Sequence, residues 1–265
     1  MSYKEDLNKK RIRKFYSKLA FWFFCFWGVV GLFIYLLFFA GLFEVNNISV
    51  DGNETVATDD ILALVQNRMN DRVLFVPQHF NIFLVKTDAI KKEIIEKYPS
   101  FKSVNIKKKF PHDLKISVSE RNIVGVWCIK NTSECFYFGK AGVAFEKASD
   151  SSGPILIHID DYRDKDIKLG EIVEDRPYLD KIIQARDELN NQLKEKTMRI
   201  VIPKDRFNEF EIITNNGWKL IFSFDLDIPF QIESLGIFFN QSLSSSDREN
   251  LEYIDARIEN KFYYK

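Results

Sequence analysis

The chain has 265 residues with 38 basic and 38 acidic side chains, so its formal net charge is zero; 46% of its residues are hydrophobic and 15% aromatic. A balance of this kind, with no charge block outside the N-terminal segment of the sort that binds DNA or RNA, argues against a nucleic-acid-binding protein. The charge is unevenly placed, however. Lys4, Lys9, Lys10, Arg11, Arg13, Lys14 and Lys18 precede the first apolar run, against only Glu5 and Asp6. Taking these seven basic and two acidic residues from 38 of each leaves 31 basic and 36 acidic residues, a mildly acidic mixture.

Residues 19–43, LAFWFFCFWGVVGLFIYLLFFAGLF, are 25 positions without a charge. An α-helix needs roughly 20 such residues to cross a bilayer. A cleaved signal peptide has an apolar region of about 7–15 residues and then a small-residue cleavage site. This run is longer, rich in Phe and Trp, and followed by Glu44-Val45. Basic flanks prefer the cytoplasm, so residues 1–18 are expected inside as a cytoplasmic leader and everything after residue 43 outside. The expectation is an uncleaved single-pass anchor carrying one large or two small extracytoplasmic domains.

Residues 44–119 predict strand, helix, helix, strand, strand. Ile48 and Val50 alternate before a Gly52-Asn53 turn. Thr58 is expected to cap a helix with Ile61, Leu64 and Val65 on one face. Thr87 is expected to cap the next, lined by Ile90 and Ile94 and stopped near Pro99. The apolar stretch between them, DRVLFVPQHFNIFLV at 71–85, should pack back over the domain. Val104, Ile106 and Phe110 share one strand parity, and Leu114, Ile116 and Val118 alternate beyond Pro111-His112-Asp113. Lys107, Lys108 and Lys109 read as the solvated end of that hairpin. Together these elements predict a small sheet with two helices on one face.

Residues 120–250 change texture. Short apolar or alternating runs at 123–127, 135–138, 143–145 and 155–159 are separated by polar turns. A helix is expected from Pro177, with Leu179, Ile182, Ile183, Leu189 and Leu193 in one stripe. Strands at 199–202 and 209–214 follow, then an Asn216-Gly217 hairpin turn before 218–224. Pro229 opens a shorter helix packed through Ile232, Leu235 and Phe239. After the polar SLSSSDREN, residues 251–265 form the last strand and tail. Leu251, Tyr253, Asp255 and Arg257 share one parity, Ile254, Ala256 and Ile258 the other, and Phe262-Tyr263-Tyr264 follow. That strand either completes the second sheet or lies at its edge and offers backbone groups to another chain.

The fold class predicted is α+β: one membrane helix, a β-α-α-β-β domain, and a second mixed, mostly antiparallel β domain with helices. Cys25 lies in the apolar run. Cys128 and Cys135 flank a six-residue polar loop, and outside the membrane they can form a disulfide or remain two thiols. Their spacing does not suggest zinc, because no His or second Cys pair accompanies it. His79, His112 and His158 are isolated in sequence and read as loop, turn or packing residues. Asn131-Thr132-Ser133 matches a glycosylation acceptor, relevant only in a secretory host. The chain contains no GxGxxG, Walker, HExxH or GxSxG pattern. Neither catalytic residues nor a cofactor or metal site is predicted.

Several segments resemble the FtsQ/DivIB family of bacterial cell-division proteins. FEV at 43–45 with ISVDGN at 48–53 is similar to the family's opening strand and turn. FPHDLKISVSER at 110–121 resembles its junction motif, YFGKAGVAF at 137–145 its following hairpin, and LEYIDAR at 251–257 its terminal signature. Gly139-Lys140-Ala141-Gly142 lacks the acidic residue often found before that hairpin's glycine. Ala256 replaces a larger aliphatic residue, and the family pattern does not require the cysteine pair. The resemblance implies a POTRA domain followed by an extracytoplasmic β domain, in a non-enzymatic protein at the division septum of the bacterial cytoplasmic membrane. Its implied partners are the coiled-coil proteins FtsB/DivIC and FtsL and the septal peptidoglycan synthase complex. The implied partner-binding residues are Tyr253, Ile254, Ala256 and Arg257, with Phe262, Tyr263 and Tyr264 beside them. Two other readings compete with this one. A POTRA component of envelope protein secretion or outer-membrane assembly would bring a barrel or repeated POTRA domains. A membrane-anchored envelope hydrolase would need a catalytic arrangement.

Overall fold

The computed structural model describes residues 2–38, 41–73, 76–150, 156–204, 208–243, 248, 250–259 and 261–265. Helix α1 (Ser2–Phe38) contains the exposed apolar span Phe15–Leu36. At 1.5 Å per residue its 22 residues reach about 33 Å, enough for a hydrocarbon core of about 30 Å. Trp22 and Phe24 are 72% and 74% exposed, a surface that water disfavours and lipid accepts. Among the described residues this is the one helix long and apolar enough to cross a membrane. It stops short of the predicted boundary. Residues 41–43 form a turn, with Gly41 at φ +68°, and residues 39–40 lie outside the described ones.

Two compact units divide the chain: residues 1–95 with 103–120, and residues 96–102 with 121–265. After α1 come β1 (Asn47–Asp51), α2 (Thr58–Met69), β2 (Arg72–Val73), β3 (Val76–Pro77), α3 (Thr87–Lys97), β4 (Phe101–Lys109) and β5 (Asp113–Glu120). The three-stranded sheet has order β1-β5-β4. Strand β1 runs parallel to β5, with Ile48 opposite Leu114 and Val50 opposite Ile116. The expected alternation of β5 is present, since Leu114, Ile116 and Val118 are buried. Ile61, Leu64 and Val65 of α2 and Ile90 and Ile94 of α3 are buried as well. The linking stretch adds the small β2–β3 pair, which its apolar composition did not announce; its residues 74–75 lie outside the described ones.

Two local devices hold the turn after β1. Gly52 sits at φ +86°, and a Cβ there would stand 2.2 Å from the Val118 carbonyl oxygen, so only glycine fits. The Glu120 carboxylate accepts hydrogen bonds from the Glu54 amide (2.8 Å), the Thr55 amide (3.0 Å) and the Thr55 hydroxyl (2.7 Å). Thr58 does not cap α2 as predicted. Ala57 occupies that position without a side-chain cap, and the Thr58 hydroxyl instead accepts from Asn53 Nδ2 at 3.0 Å.

The second unit contains β6 (Gly125–Ile129), β7 (Glu134–Phe138), β8 (Ala144–Ala148), β9 (Ile157–Asp161) and α4 (Arg176–Glu188). It continues with β10 (Thr197–Ile202), β11 (Glu209–Thr214), β12 (Lys219–Ser223), α5 (Ile228–Ser242), β13 (Tyr253–Ile258) and β14 (Lys261–Tyr264). The nine strands form one sheet in the order β14-β13-β12-β11-β10-β9-β6-β7-β8. The β12–β13, β9–β10 and β6–β9 pairs are parallel; the remaining neighbours that we resolve are antiparallel. Parallel neighbours need a crossover, and α4 and α5 supply two of them.

Both helices cover the same face. Leu179, Ile182 and Leu189 from the α4 segment join Ile232, Leu235 and Phe239 from α5 in a core with Trp127, Phe138, Phe210, Trp218 and Phe222. Asp227 caps α5 by accepting from the Phe230 amide at 3.3 Å. Gln231 then ties α5 to the end of β12, donating to the Ser223 carbonyl (3.0 Å) and accepting from its amide (3.1 Å). Gly125 is required for another reason: a Cβ would lie 2.3 Å from the Ile157 carbonyl oxygen on the neighbouring strand. On the opposite face Cys128 and Cys135, directly paired between β6 and β7, are joined by a disulfide and pack with Val126.

A candidate docking edge

The terminal strand expected at the sheet edge lies one place inside it. Strand β13 pairs with β12 on one side and β14 on the other, so Lys261–Tyr264 forms the free edge among the described residues. This corrects the expectation that Tyr253 to Arg257 present unpaired backbone. The missed strand has four residues, Lys-Phe-Tyr-Tyr, too short to show alternation of its own.

The ladder determines which backbone groups of β14 face outward. The Lys265 amide donates to the Tyr253 carbonyl (3.2 Å), and the Tyr253 amide donates to the Lys265 carbonyl (3.4 Å). In an antiparallel pair, residues that exchange both bonds alternate with residues that point away. Tyr263, opposite Asp255, therefore faces β13, while the amides and carbonyls of Phe262 and Tyr264 face outward. These are the groups that a further strand would bind.

The side chains divide by the same parity. Phe262 and Tyr264 lie toward α5, where their rings stand 4.9 and 5.4 Å from that of Phe238. Ile254 and Ala256 are buried at 0% and 3% exposure, so they support β13 and present no free surface. Tyr263, Tyr264 and Ile258 are each about half exposed, an apolar and aromatic rim on the outermost strands. Arg257 is fixed: Nε donates to Asp255 (2.9 Å), a second nitrogen to the same carboxylate (2.5 Å), and the third to Glu209. The hydrogen bonds to Asp255, opposed by burial and aided by Glu209, hold its pKa above the ordinary arginine value. At the other end of the sheet, β8 exposes Glu146 and Lys147, charges that discourage edge pairing.

Elsewhere on the sheet, carboxylates are matched by cations. Asp161 and Glu174 meet Arg163, and Asp150 and Asp160 meet Lys130 and Arg199. The carboxyl groups whose titration is clearly displaced, Glu120, Asp150 and Asp160, all move downward.

Residues 43–121 match the family described as POTRA domain, FtsQ-type. The chain is 29% identical over 128 residues to cell division protein DivIB of Clostridium acetobutylicum, covering 48% of this chain and 47% of that protein. It is 21% identical over 197 residues to cell division protein DivIB of Clostridium tetani, covering 67% of this chain and 70% of that protein. The match thus spans about half the length of the first relative. The chain carries an FtsQ-type POTRA domain and is related, at low identity, to DivIB proteins.

Proposed function

We propose that this chain is a non-enzymatic scaffold of the bacterial division complex, a member of the FtsQ/DivIB family anchored by α1 with its two units outside the cytoplasm. It joins coiled-coil proteins of the FtsB/DivIC and FtsL kind to the machinery that builds septal peptidoglycan. The observation that carries this reading is the free edge of β14, with the backbone of Phe262 and Tyr264 directed outward and exposed aromatic side chains beside it. Main-chain pairing supplies attachment, and the aromatic rim supplies selectivity. Tyr253 and Arg257 hold the strand beneath, and Tyr263 and Tyr264 meet the partner.

The ladder supplies a discriminating test. Proline at position 264 removes an outward amide and no β13–β14 hydrogen bond, whereas proline at 263 removes one that faces β13. Tyr264→Pro should abolish binding of the extracytoplasmic part to the partner's extracytoplasmic segment while lowering thermal unfolding only by what the Tyr264–Phe238 ring contact contributes, less than Tyr263→Pro does. Tyr263→Pro should lower both. Normal partner binding by folded Tyr264→Pro protein would refute docking at this edge.

A further inference from the structure

The first unit carries an exposed aromatic cluster just beyond α1, and partner docking at β14 does not use it. Residues 37–43, LFFAGLF, continue the apolar span without a charge, so no polar linker separates that unit from the bilayer. The chain is then strapped down at once. The Phe43 carbonyl accepts from the Ile82 amide (2.8 Å), the Val45 amide donates to the His79 carbonyl (2.9 Å), and the Asn46 amide donates to the His112 carbonyl (2.9 Å). His112 Nδ1 also donates to the Glu44 carbonyl at 3.0 Å. These bonds hold the end of the uncharged run against two loops of the domain, 79–83 and 110–112.

The same two loops supply the rest of the cluster. The Phe83 ring stands 5.1 Å from that of Phe43 and 4.9 Å from that of Phe110. Phe83, Phe110 and Leu42 are each half exposed or more. Apolar side chains that water disfavours, fixed to the end of a membrane span, have lipid within reach. Cations stand beside them. Strand β4 ends in Lys107, Lys108 and Lys109; the first and last are exposed, and Lys108 Nζ donates to the Phe83 carbonyl at 3.3 Å. Of the acidic residues in these segments, Asp113 is engaged by Asn47 Nδ2 at 3.0 Å and Glu44 is half-buried. Apolar rings rimmed by lysine suit a bilayer interface, with the rings among the upper acyl chains and the ammonium groups at the phosphates.

We propose that Leu42, Phe83 and Phe110 seat the first unit in the extracytoplasmic interface of the membrane that α1 crosses, with Lys107 and Lys109 against lipid phosphates. The inference rests on α1 being a membrane anchor. It fixes how the unit stands on the bilayer: the β4–β5 turn meets lipid, and the Ser103 end of β4, about 20 Å along the strand, points into water.

The test uses the full-length chain carrying Cys25→Ser, in which the remaining cysteines are joined in the Cys128–Cys135 disulfide. A fluorophore is attached through Lys109→Cys or, for comparison, through Ser103→Cys. The chain is reconstituted in vesicles of phosphatidylcholine and phosphatidylglycerol that contain a headgroup-spin-labelled lipid as quencher. The expected result is loss of most of the emission at 109 and of little at 103. Combining Phe83→Ser with Phe110→Ser should return the emission at 109 to the level at 103. Thermal unfolding establishes that this variant folds, and Phe83→Ser alone decides if it does not. Resistance of the chain to alkaline extraction from the vesicles reports on α1 separately. A chain that is extracted loses the anchor and this inference with it. A retained chain with equal quenching at 109 and 103, or with quenching at 109 undiminished in the folded serine variants, keeps the anchor and overturns the seating.

Discussion

Asp160 offers a quantitative test of the second unit. Its side chain is 4% exposed and lies among Arg199, Lys130 and His158. Burial opposes its charge, but the polar contacts from His158, Arg199 and Lys130 outweigh burial and lower its pKa from 3.8 to about 2. At about 1.4 kcal/mol per unit, that depression contributes about 2 kcal/mol of folding stability at pH 7. The folded value lies below the unfolded one, so the contribution is complete above about pH 4 and disappears as pH falls through about 2. About 1 kcal/mol of it should be gone at pH 3. Asp160→Asn removes this term and leaves Arg199 short of an anion. The variant should be at least about 2 kcal/mol less stable than the parent at pH 7, with the gap narrowing by about 1 kcal/mol at pH 3. The assay is urea denaturation of residues 44–265 followed by tryptophan fluorescence. Trp22 and Trp27 are absent from that fragment, so the signal comes from Trp127 and Trp218, both buried in the second unit. Equal stability at pH 7, or a gap independent of pH, would refute the electrostatic reasoning.

Two further perturbations test the local devices. Glu120→Ala frees the Glu54 and Thr55 amides and the Thr55 hydroxyl in the first unit. It should cost about 1–2 kcal/mol in chemical denaturation of that unit, and an unchanged midpoint would show that water satisfies the turn equally well. Gly125→Ala places a methyl group against the Ile157 carbonyl oxygen and the Phe138 ring. It should cost about 1–3 kcal/mol through displacement of β6 from β9, and a melting temperature equal to the parent's would contradict the packing.

Features governed by local spacing were legible in the sequence. The uncharged run announced α1, the alternation of Leu114, Ile116 and Val118 announced β5, and Leu179, Ile182 and Leu189 announced the buried stripe of α4. Asn216-Gly217 marked the β11–β12 turn, where the Gly217 amide donates to the Thr214 carbonyl. Features governed by strand order were not legible. That β13 is interior depends on β14, whose four residues carry no periodic signal. The approach of β9 to β6 depends on parallel pairing across some thirty residues of sequence, which neither strand's neighbours encode. Thr58 looked like a cap because helix N-termini favour threonine, yet Ala57 sits there and Asn53 engages the hydroxyl instead.

Crosslinking at position 264 in the native membranes of dividing cells tests the proposed scaffold role most directly. A photoreactive amino acid in place of Tyr264, on the outward backbone of β14, should capture a single-pass coiled-coil division protein, and the adduct should disappear when a proline replaces Phe262. Capture of a β-barrel or secretion component in its place, or no adduct at 264 while positions on β8 yield the division partner, would contradict it.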